Sequence, residues 1–159
     1  GNCFDGNTVC ESLEVHNSHT PFGHAGESVM AELAGHFAHN EQSLRVVEFL
    51  EKGGKGLNLT YEVKDGIVNH TGPHLPKTLE GRIVRTADRI AYLTHDYDDS
   101  LRAGLLREGD LPAAVYERFG RDTSSMITSM VSDMIESSAD LTDIRQSDEV
   151  RETMDLFRS

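Results

Sequence analysis

Apolar residues recur at spacings of three and four along most of this chain, and this period limits its fold more than any other feature. One such stripe consists of Met126, Met130 and Met134, and we interpret it as core. The longest predicted helix follows Thr78, which can cap it. The predicted core face of that helix carries Ile83, Ala87, Ile90, Ala91 and Thr94. Because short Gly/Pro connections separate these segments, the pattern predicts an all-α fold.

The same spacing places the remaining helices. They are predicted over Ser28 to Phe37, over Glu41 to Lys52, after a cap at Asp110 and ending at Gly120, after Asp122 or Thr123, and in the charged tail from Ala139 to Ser159. The stretch from Leu57 to Val63 alternates apolar and polar residues, which is typical of a strand. Thr60 could instead cap a helix there. Periodicity alone leaves both alternatives open.

Composition limits the class of partner. The 159 residues suffice for one domain or part of one, and 27 Asp and Glu against 15 Lys and Arg give a formal net charge of -12. Broad nucleic-acid binding is therefore not expected, because a phosphate backbone attracts positive charge. No segment approaches the roughly 20 apolar residues of a membrane span. The first ten residues lack the basic and apolar regions of a secretory signal, so we expect a cytoplasmic protein with no membrane association.

A histidine-rich segment carries the strongest chemical signal. His16, His19, His24 and Glu27 lie within twelve residues, with Pro and Gly turns among them. Imidazole nitrogens bind divalent metals well, and a His and a Glu three residues apart can act as a base and its orienting carboxylate. The alternative is that these histidines only cap turns in a polar loop.

A second candidate lies on the predicted long helix. Asp88, Tyr92 and Asp96 follow each other at intervals of four, so they share a stripe roughly opposite the predicted core face. Arg85 and Arg89 flank this stripe. Spacing alone favours a solvated face with local ion pairs, and Tyr92 among the charges is the one hint of a binding role.

Four segments in order resemble one enzyme family. They are HTPFGHAGE from His19 to Glu27, HNEQSLRVV from His39 to Val47, LNLTYEV from Leu57 to Val63, and LEGRIVRTADRIAYLTHD from Leu79 to Asp96. Together they resemble the bacterial HD-domain deoxyguanosinetriphosphate triphosphohydrolase-like proteins. The resemblance implies an all-α HD-domain bundle, a homo-oligomer and a divalent metal, which could be Mn, Mg, Ni, Fe, Co or Zn. It also implies hydrolysis of deoxynucleoside triphosphates (dNTPs) to deoxynucleoside and tripolyphosphate.

The resemblance also implies roles for single residues. Asp88 matches a metal ligand, His24 and Glu27 match the catalytic histidine and its acidic partner, and His19 matches a second active-site position near the phosphates. Arg89 matches a phosphate contact, and Tyr92 and Asp96 match contacts to the deoxyribose. The wall of the substrate pocket would include His39, Asn40 and Gln42.

The sequence departs from the family pattern before His19. The positions of the family's His-Asp metal dyad hold Val15 and His16, the next pair is His16 and Asn17, and Glu11 stands where a first metal-binding histidine belongs. We therefore expect residues 1–15 to be a divergent or truncated segment and residues 16–159 to be a partial HD-type domain, with His16 as a substitute metal ligand. A degenerate family member, a deletion and an omitted stretch of sequence are three alternative explanations.

Three functions follow from this pattern. The first is metal-dependent dNTP hydrolysis. The second is a catalytically impaired nucleotide-binding or regulatory protein that lacks a complete metal site. The third is an HD phosphohydrolase for another substrate, such as a cyclic nucleotide or guanosine tetraphosphate, and the context of Asp88, Tyr92 and Asp96 argues against it.

Overall fold

The computed structural model describes residues 24–158, with the backbone alone for His24 and Ala25. Within that range the chain is all-α, as the apolar spacing predicted. The helices are α1 (His24–Ala34), α2 (His39–Arg45), α3 (Tyr61–Asn69), α4 (Leu79–Arg102), α5 (Ala113–Phe119), α6 (Thr123–Ser137) and α7 (Asp148–Arg158). The chain forms two compact units, one ending at His74 and one beginning at Leu75, and each is described by itself.

In the first unit, α2 and α3 pack against each other. Asn40 donates its side-chain N–H to the Val68 carbonyl oxygen at 2.6 Å, and Val47 and Ile67 are buried. The helix predicted from Glu41 to Lys52 is regular only in its first part. It begins at His39, continues as a π-helical turn over Val46–Leu50, and is broken where Lys52 and Gly53 take positive φ angles of 51° and 65°.

After this break the backbone passes so close to Glu48 that only glycine fits at position 56. At Gly56, φ is +68°, and a Cβ atom would lie 2.1 Å from the Glu48 carbonyl oxygen. The next residue, Leu57, donates its N–H to the Val47 carbonyl oxygen at 2.8 Å, which holds the returning chain against the π-helical turn. The ambiguous stretch from Leu57 to Val63 is not a strand, because α3 begins at Tyr61, directly after Thr60.

In the second unit, residues of α4, α5, α6 and α7 share one core. It contains Ile90, Leu93, Tyr97, Val115, Phe119, Met126, Met130, Val150, Met154 and Phe157. The methionine stripe is therefore core, as predicted. Thr78 Oγ1 accepts the Gly81 N–H at 3.1 Å, which confirms the predicted cap of α4.

The predicted core face of α4 is partly wrong. Ile83 is 42% exposed, and Ala87 is exposed as well. Ile90 and Thr94 are buried as predicted, and the other buried core residues of α4 are Leu93 and Tyr97. Leu93 and Tyr97 carry far more apolar surface than Ala87, so burying them stabilises the unit more and sets the rotation of the helix.

Of the two predicted aspartate caps in this unit, one is confirmed and one is wrong. Asp122 accepts the Ser125 N–H at 2.9 Å, which confirms it as the cap of α6. Asp110 was predicted to cap α5, and this is wrong, because Pro112 occupies the cap position. The Asp110 carboxylate accepts the Arg107 N–H at 2.8 Å instead, and so closes the turn before the helix.

No helix among residues 24–158 is both long enough and apolar enough to cross a bilayer.

Two tyrosines lock the loop between α4 and α5. The hydroxyl oxygens of Tyr97 and Tyr116 lie 3.3 Å apart, and the Tyr116 oxygen accepts the Gly109 N–H at 2.9 Å. Burial of Tyr97 and its hydrogen bond to Tyr116 raise the pKa of the Tyr97 hydroxyl. The pKa of Tyr116 is lowered, because the hydrogen bonds that it accepts outweigh its burial, so Tyr97 is the group of this pair that stays protonated. In the folded chain this group therefore stays protonated at pH values where the unfolded chain ionises.

This pKa difference predicts a loss of stability at high pH. The contribution of Tyr97 is fully present below the unfolded tyrosine pKa of about 10 and is lost as pH rises above it. We expect the free energy of unfolding, measured in urea from pH 9 to 11.5, to fall less steeply in Tyr97→Phe than in the wild type. Tyr61→Phe, at a tyrosine that is 56% exposed, should keep the wild-type slope. Identical slopes in all three proteins would contradict this explanation.

Candidate functional site

In the first unit, Glu27 and His39 form a close pair. Glu27 lies in the first turn of α1, and His39 is the first residue of α2. Glu27 Oε1 accepts the backbone N–H of His39 at 2.9 Å, while His39 Nδ1 lies 3.0 Å from Oε1 and 3.1 Å from Oε2. Both side chains are largely buried, at 22% and 20% exposure. The sequence placed these residues in separate roles, and the structure joins them directly.

A third residue, His70, extends this pair. Its Nε2 lies 3.1 Å from His39 Nε2, and its Nδ1 lies 2.7 Å from the carbonyl oxygen of Ile67. Only 5% of His70 is exposed, and the two imidazole rings meet edge to face at 61°. We call this arrangement the Glu27–His39–His70 chain. Sequence reasoning found no partner for His70, because the contact joins residues 31 positions apart and leaves no local spacing signal.

The other two predicted pocket-wall residues lie on α2. The side chain of Asn40 is engaged with the Val68 carbonyl oxygen, which links α2 to α3. Gln42 Oε1 accepts from the Arg45 guanidinium at 3.4 Å on the exposed side of the helix. His24 begins α1. The predictions for the His24 side chain and for His16 and His19 lie outside the described residues.

In the second unit, Tyr92 and Asp96 line one cavity. Its volume is about 170 Å³, and its walls also include Leu93, Tyr97, Ser100, Leu106, Leu111, Phe157 and Arg158. Burial raises the pKa of the Tyr92 hydroxyl, and the charge of Asp96 and a hydrogen bond to it raise that pKa further. The cavity therefore combines apolar walls of leucine and aromatic side chains with polar groups from Tyr92, Asp96, Ser100 and Arg158. Among these groups Tyr92 is a donor and Asp96 an acceptor.

The other two predicted residues of α4 are half-buried. Arg89 forms an ion pair with Asp155 of α7. Asp88 supplies a carboxylate, a ligand type that suits Mg or Mn. Within the part of the chain that the structure describes, no three His, Cys, Asp or Glu side chains form a group that could hold a metal ion. That part alone is therefore not a complete metal site.

A larger groove lies elsewhere in the second unit. It measures about 540 Å³ and is lined mainly by Ser, Thr and acidic side chains of α6, with Arg118 and Gly120 beside them. Arg118 already pairs with Asp133 and Glu149. None of the site residues predicted from the sequence lines this groove, so the smaller cavity with Tyr92 and Asp96 is the candidate site.

These features define an all-helical protein, over the residues described, with a carboxylate–histidine chain in one unit and a cavity bearing tyrosine and aspartate in the other. The sequence matches no family model. It is 49% identical over 142 residues to a deoxyguanosinetriphosphate triphosphohydrolase-like protein of Caldanaerobacter subterraneus subsp. tengcongensis, an alignment that covers 89% of this chain and 42% of the relative. The chain thus belongs to the family of bacterial deoxyguanosinetriphosphate triphosphohydrolase-like proteins.

Other members of that family are similarly close. Proteins with the same name from Clostridium perfringens and Desulfatibacillum aliphaticivorans are 49% and 47% identical over 127 and 133 residues. Each alignment covers 77% of this chain. The chain spans between 37% and 42% of the length of these curated relatives.

Proposed function

We propose that this chain carries part of a metal-dependent enzyme that hydrolyses dNTPs, dGTP among them, to deoxynucleoside and tripolyphosphate. The observation that carries the proposal is the cavity that Tyr92 and Asp96 share, since the family resemblance assigns these two residues to the deoxyribose. The relatives are named for deoxyguanosine triphosphate, which supports a deoxynucleoside triphosphate as the substrate. In the same proposal the protein acts as a cytoplasmic homo-oligomer.

The size and lining of the cavity support a sugar as its occupant. Pockets for whole drug-sized ligands measure roughly 300–1,000 Å³, so a cavity of about 170 Å³ suits only part of a nucleotide. The apolar walls can pack against the sugar ring, while Asp96 can accept a hydrogen bond from the 3′-hydroxyl. A ribose would bring its 2′-hydroxyl against an apolar wall, where a polar group without a partner is costly.

The proposed reaction transfers the α-phosphoryl group to water. A bond forms between the water oxygen and the α-phosphorus, the bond to the 5′-oxygen breaks, and the deoxynucleoside leaves with a proton on that oxygen. In this proposal His24 moves the proton and Glu27 orients the His24 ring. His19 and Arg89 contact the phosphates. A divalent metal held by Asp88 and His16 would polarise the phosphoryl group when bound.

The test is incubation of the purified chain with each dNTP and Mn or Mg, followed by detection of tripolyphosphate. Metal-dependent release of tripolyphosphate is the expected result. Measurable dNTP binding without product under either metal would contradict hydrolysis and favour the regulatory alternative. Release of product only from a cyclic nucleotide or guanosine tetraphosphate would favour the third function.

The role of Asp96 predicts a loss of dNTP affinity. A hydrogen bond to a charged acceptor contributes about 1.5–3 kcal/mol, so Asp96→Ala should raise the Kd for dGTP by about 10- to 100-fold. Isothermal titration calorimetry measures this change directly. Glu117→Ala removes the same charge from an exposed position of α5 and should leave the Kd unchanged. An equal effect of both variants would show that Asp96 acts only through overall charge.

A further inference from the structure

The Glu27–His39–His70 chain can be assigned proton by proton. A carbonyl oxygen only accepts, so His70 Nδ1, at 2.7 Å from the Ile67 oxygen, must carry a hydrogen. An ionised carboxylate also only accepts, so His39 Nδ1, at 3.0 Å from Glu27 Oε1, must carry another. One more hydrogen is needed between the two Nε2 atoms, which lie 3.1 Å apart.

This third hydrogen can belong to either ring, and the surroundings favour His39. Whichever imidazole carries it holds two N–H groups and a positive charge. His70 is only 5% exposed, and burial disfavours a charged ring there. The ring of His39 is more exposed, at 20%, and lies directly against the Glu27 carboxylate. When the pair carries this third hydrogen, the charge therefore belongs on His39, and His70 Nε2 accepts the hydrogen bond.

Other carboxylates near these helices have partners of their own. Glu48 pairs with Lys64 at 2.8 Å, Glu41 pairs with His36 at 2.8 Å, and Asp65 accepts the Asn69 side-chain N–H at 2.9 Å. Among the residues that the structure describes, Glu27 is the carboxylate that contacts the His39 ring, at 3.0 and 3.1 Å from Nδ1. Its Oε1 also accepts the His39 backbone N–H at 2.9 Å, which favours the ionised form of the carboxylate.

We propose that His70 is a positioning residue that accepts from His39 Nε2, fixes the orientation of the His39 ring and, through His39, holds the Glu27 carboxylate in place. This rests on the proposed function, in which Glu27 is the acidic partner of the catalytic His24. His70 itself is anchored by the last turn of α3, through the Ile67 carbonyl oxygen, so the chain ends on rigid backbone. An outer residue of this kind is typically worth about 10- to 100-fold in activity.

The first test reads the protons in the wild-type chain and needs no activity. Two-bond ¹H–¹⁵N correlation spectra of the histidine rings, recorded at a series of pH values, distinguish the two neutral tautomers from the doubly protonated ring. We expect His70 to keep the Nδ1–H tautomer while the third hydrogen appears on His39 Nε2, with assignments from the signals that disappear in His70→Gln and His39→Gln. A hydrogen on His70 Nε2 would overturn the proposal whatever the activity.

The second test compares two replacements of His70. The amide oxygen of His70→Gln can still accept from His39 Nε2, whereas His70→Phe keeps an aromatic ring and removes the acceptor. We expect His70→Phe to lower kcat by about 10- to 100-fold with little change in KM, and His70→Gln to retain most of the activity. The ring nitrogens of His39 should shift in His70→Phe and stay close to wild type in His70→Gln.

The outcomes separate this proposal from the proposed function. If the wild-type chain releases no tripolyphosphate, the function fails, and the catalytic role of His70 fails with it. If the wild type is active and His70→Phe has the same kcat, the function stands and the positioning role is wrong. Equal losses in the Phe and Gln variants, with the His39 signals unchanged in both, would show that His70 only supports folding.

Discussion

Replacement of Glu27 by glutamine is expected to lower the rate of dNTP hydrolysis by about 100- to 10,000-fold, the range for loss of general acid–base assistance. In the proposed reaction the carboxylate orients the catalytic histidine and stabilises its protonated form. Glutamine keeps an oxygen that can accept the His39 backbone N–H, now at 2.9 Å from Oε1, but it removes the negative charge. The effect should therefore fall on kcat, measured as tripolyphosphate released from dGTP.

A matched control lies on the same helix. Glu32 is an exposed residue of α1, five residues after Glu27, and Glu32→Gln removes the same charge from the same helix. We expect this variant to keep the wild-type kcat. Unfolding in urea should show both variants folded at the assay temperature. A Glu27→Gln protein that is folded and fully active would remove Glu27 from the catalytic residues.

The largest effect on stability is expected at Met130, which is completely buried in the core of the second unit. Met130→Ala leaves a cavity among side chains from α4 to α7, and such a change costs about 2–5 kcal/mol. Domains are typically stable by only about 5–15 kcal/mol, so the loss is a large part of the total. Urea unfolding followed by circular dichroism measures the free energy difference.

Ile135 provides the comparison within α6, because its side chain is 65% exposed. Ile135→Ala should change the free energy of unfolding by no more than about 0.5 kcal/mol. Similar losses in the two variants would show that α6 does not present the methionine face to the core.

The ion pair of Arg89 bears on its proposed phosphate contact. Arg89 and Asp155 are 41% and 69% exposed in their side chains. Pairs this exposed contribute about 0–1 kcal/mol, since water and salt screen them. Arg89 can therefore leave Asp155 for a phosphate group at little cost. The pair is compatible with the role that the family resemblance gives to this arginine.

The sequence predicted the helices better than their orientation. Spacing located α4, α6 and α7 because the apolar residues of each helix share one face, and it identified the caps Thr78 and Asp122 from local chemistry. The core face of α4 was misjudged because periodicity treats Ala87 and Tyr97 as equivalent apolar positions. Packing favours the burial of Tyr97, whose side chain has the larger apolar surface. Asp110 was misjudged because an aspartate caps turns as readily as helices.

In the candidate site, the contacts within one helix could be predicted from the sequence, and those between helices could not. Tyr92 and Asp96 lie four residues apart on one helix, so their common position follows from helix geometry. The contact between His39 and His70 depends on how α2 packs against α3, and no local pattern encodes it. The roles proposed for His24, Arg89 and the metal ligands came from the family resemblance and remain predictions.

Comparison of dGTP with GTP tests whether the pocket of Tyr92 and Asp96 selects a deoxyribose. The initial rate of tripolyphosphate release is measured for both nucleotides under the same metal, at concentrations well below KM. If Tyr92 and Asp96 bind a deoxyribose against apolar walls, dGTP should react about 100-fold faster, which is the discrimination that such a pocket achieves against an added hydroxyl. Equal rates for dGTP and GTP would contradict the account.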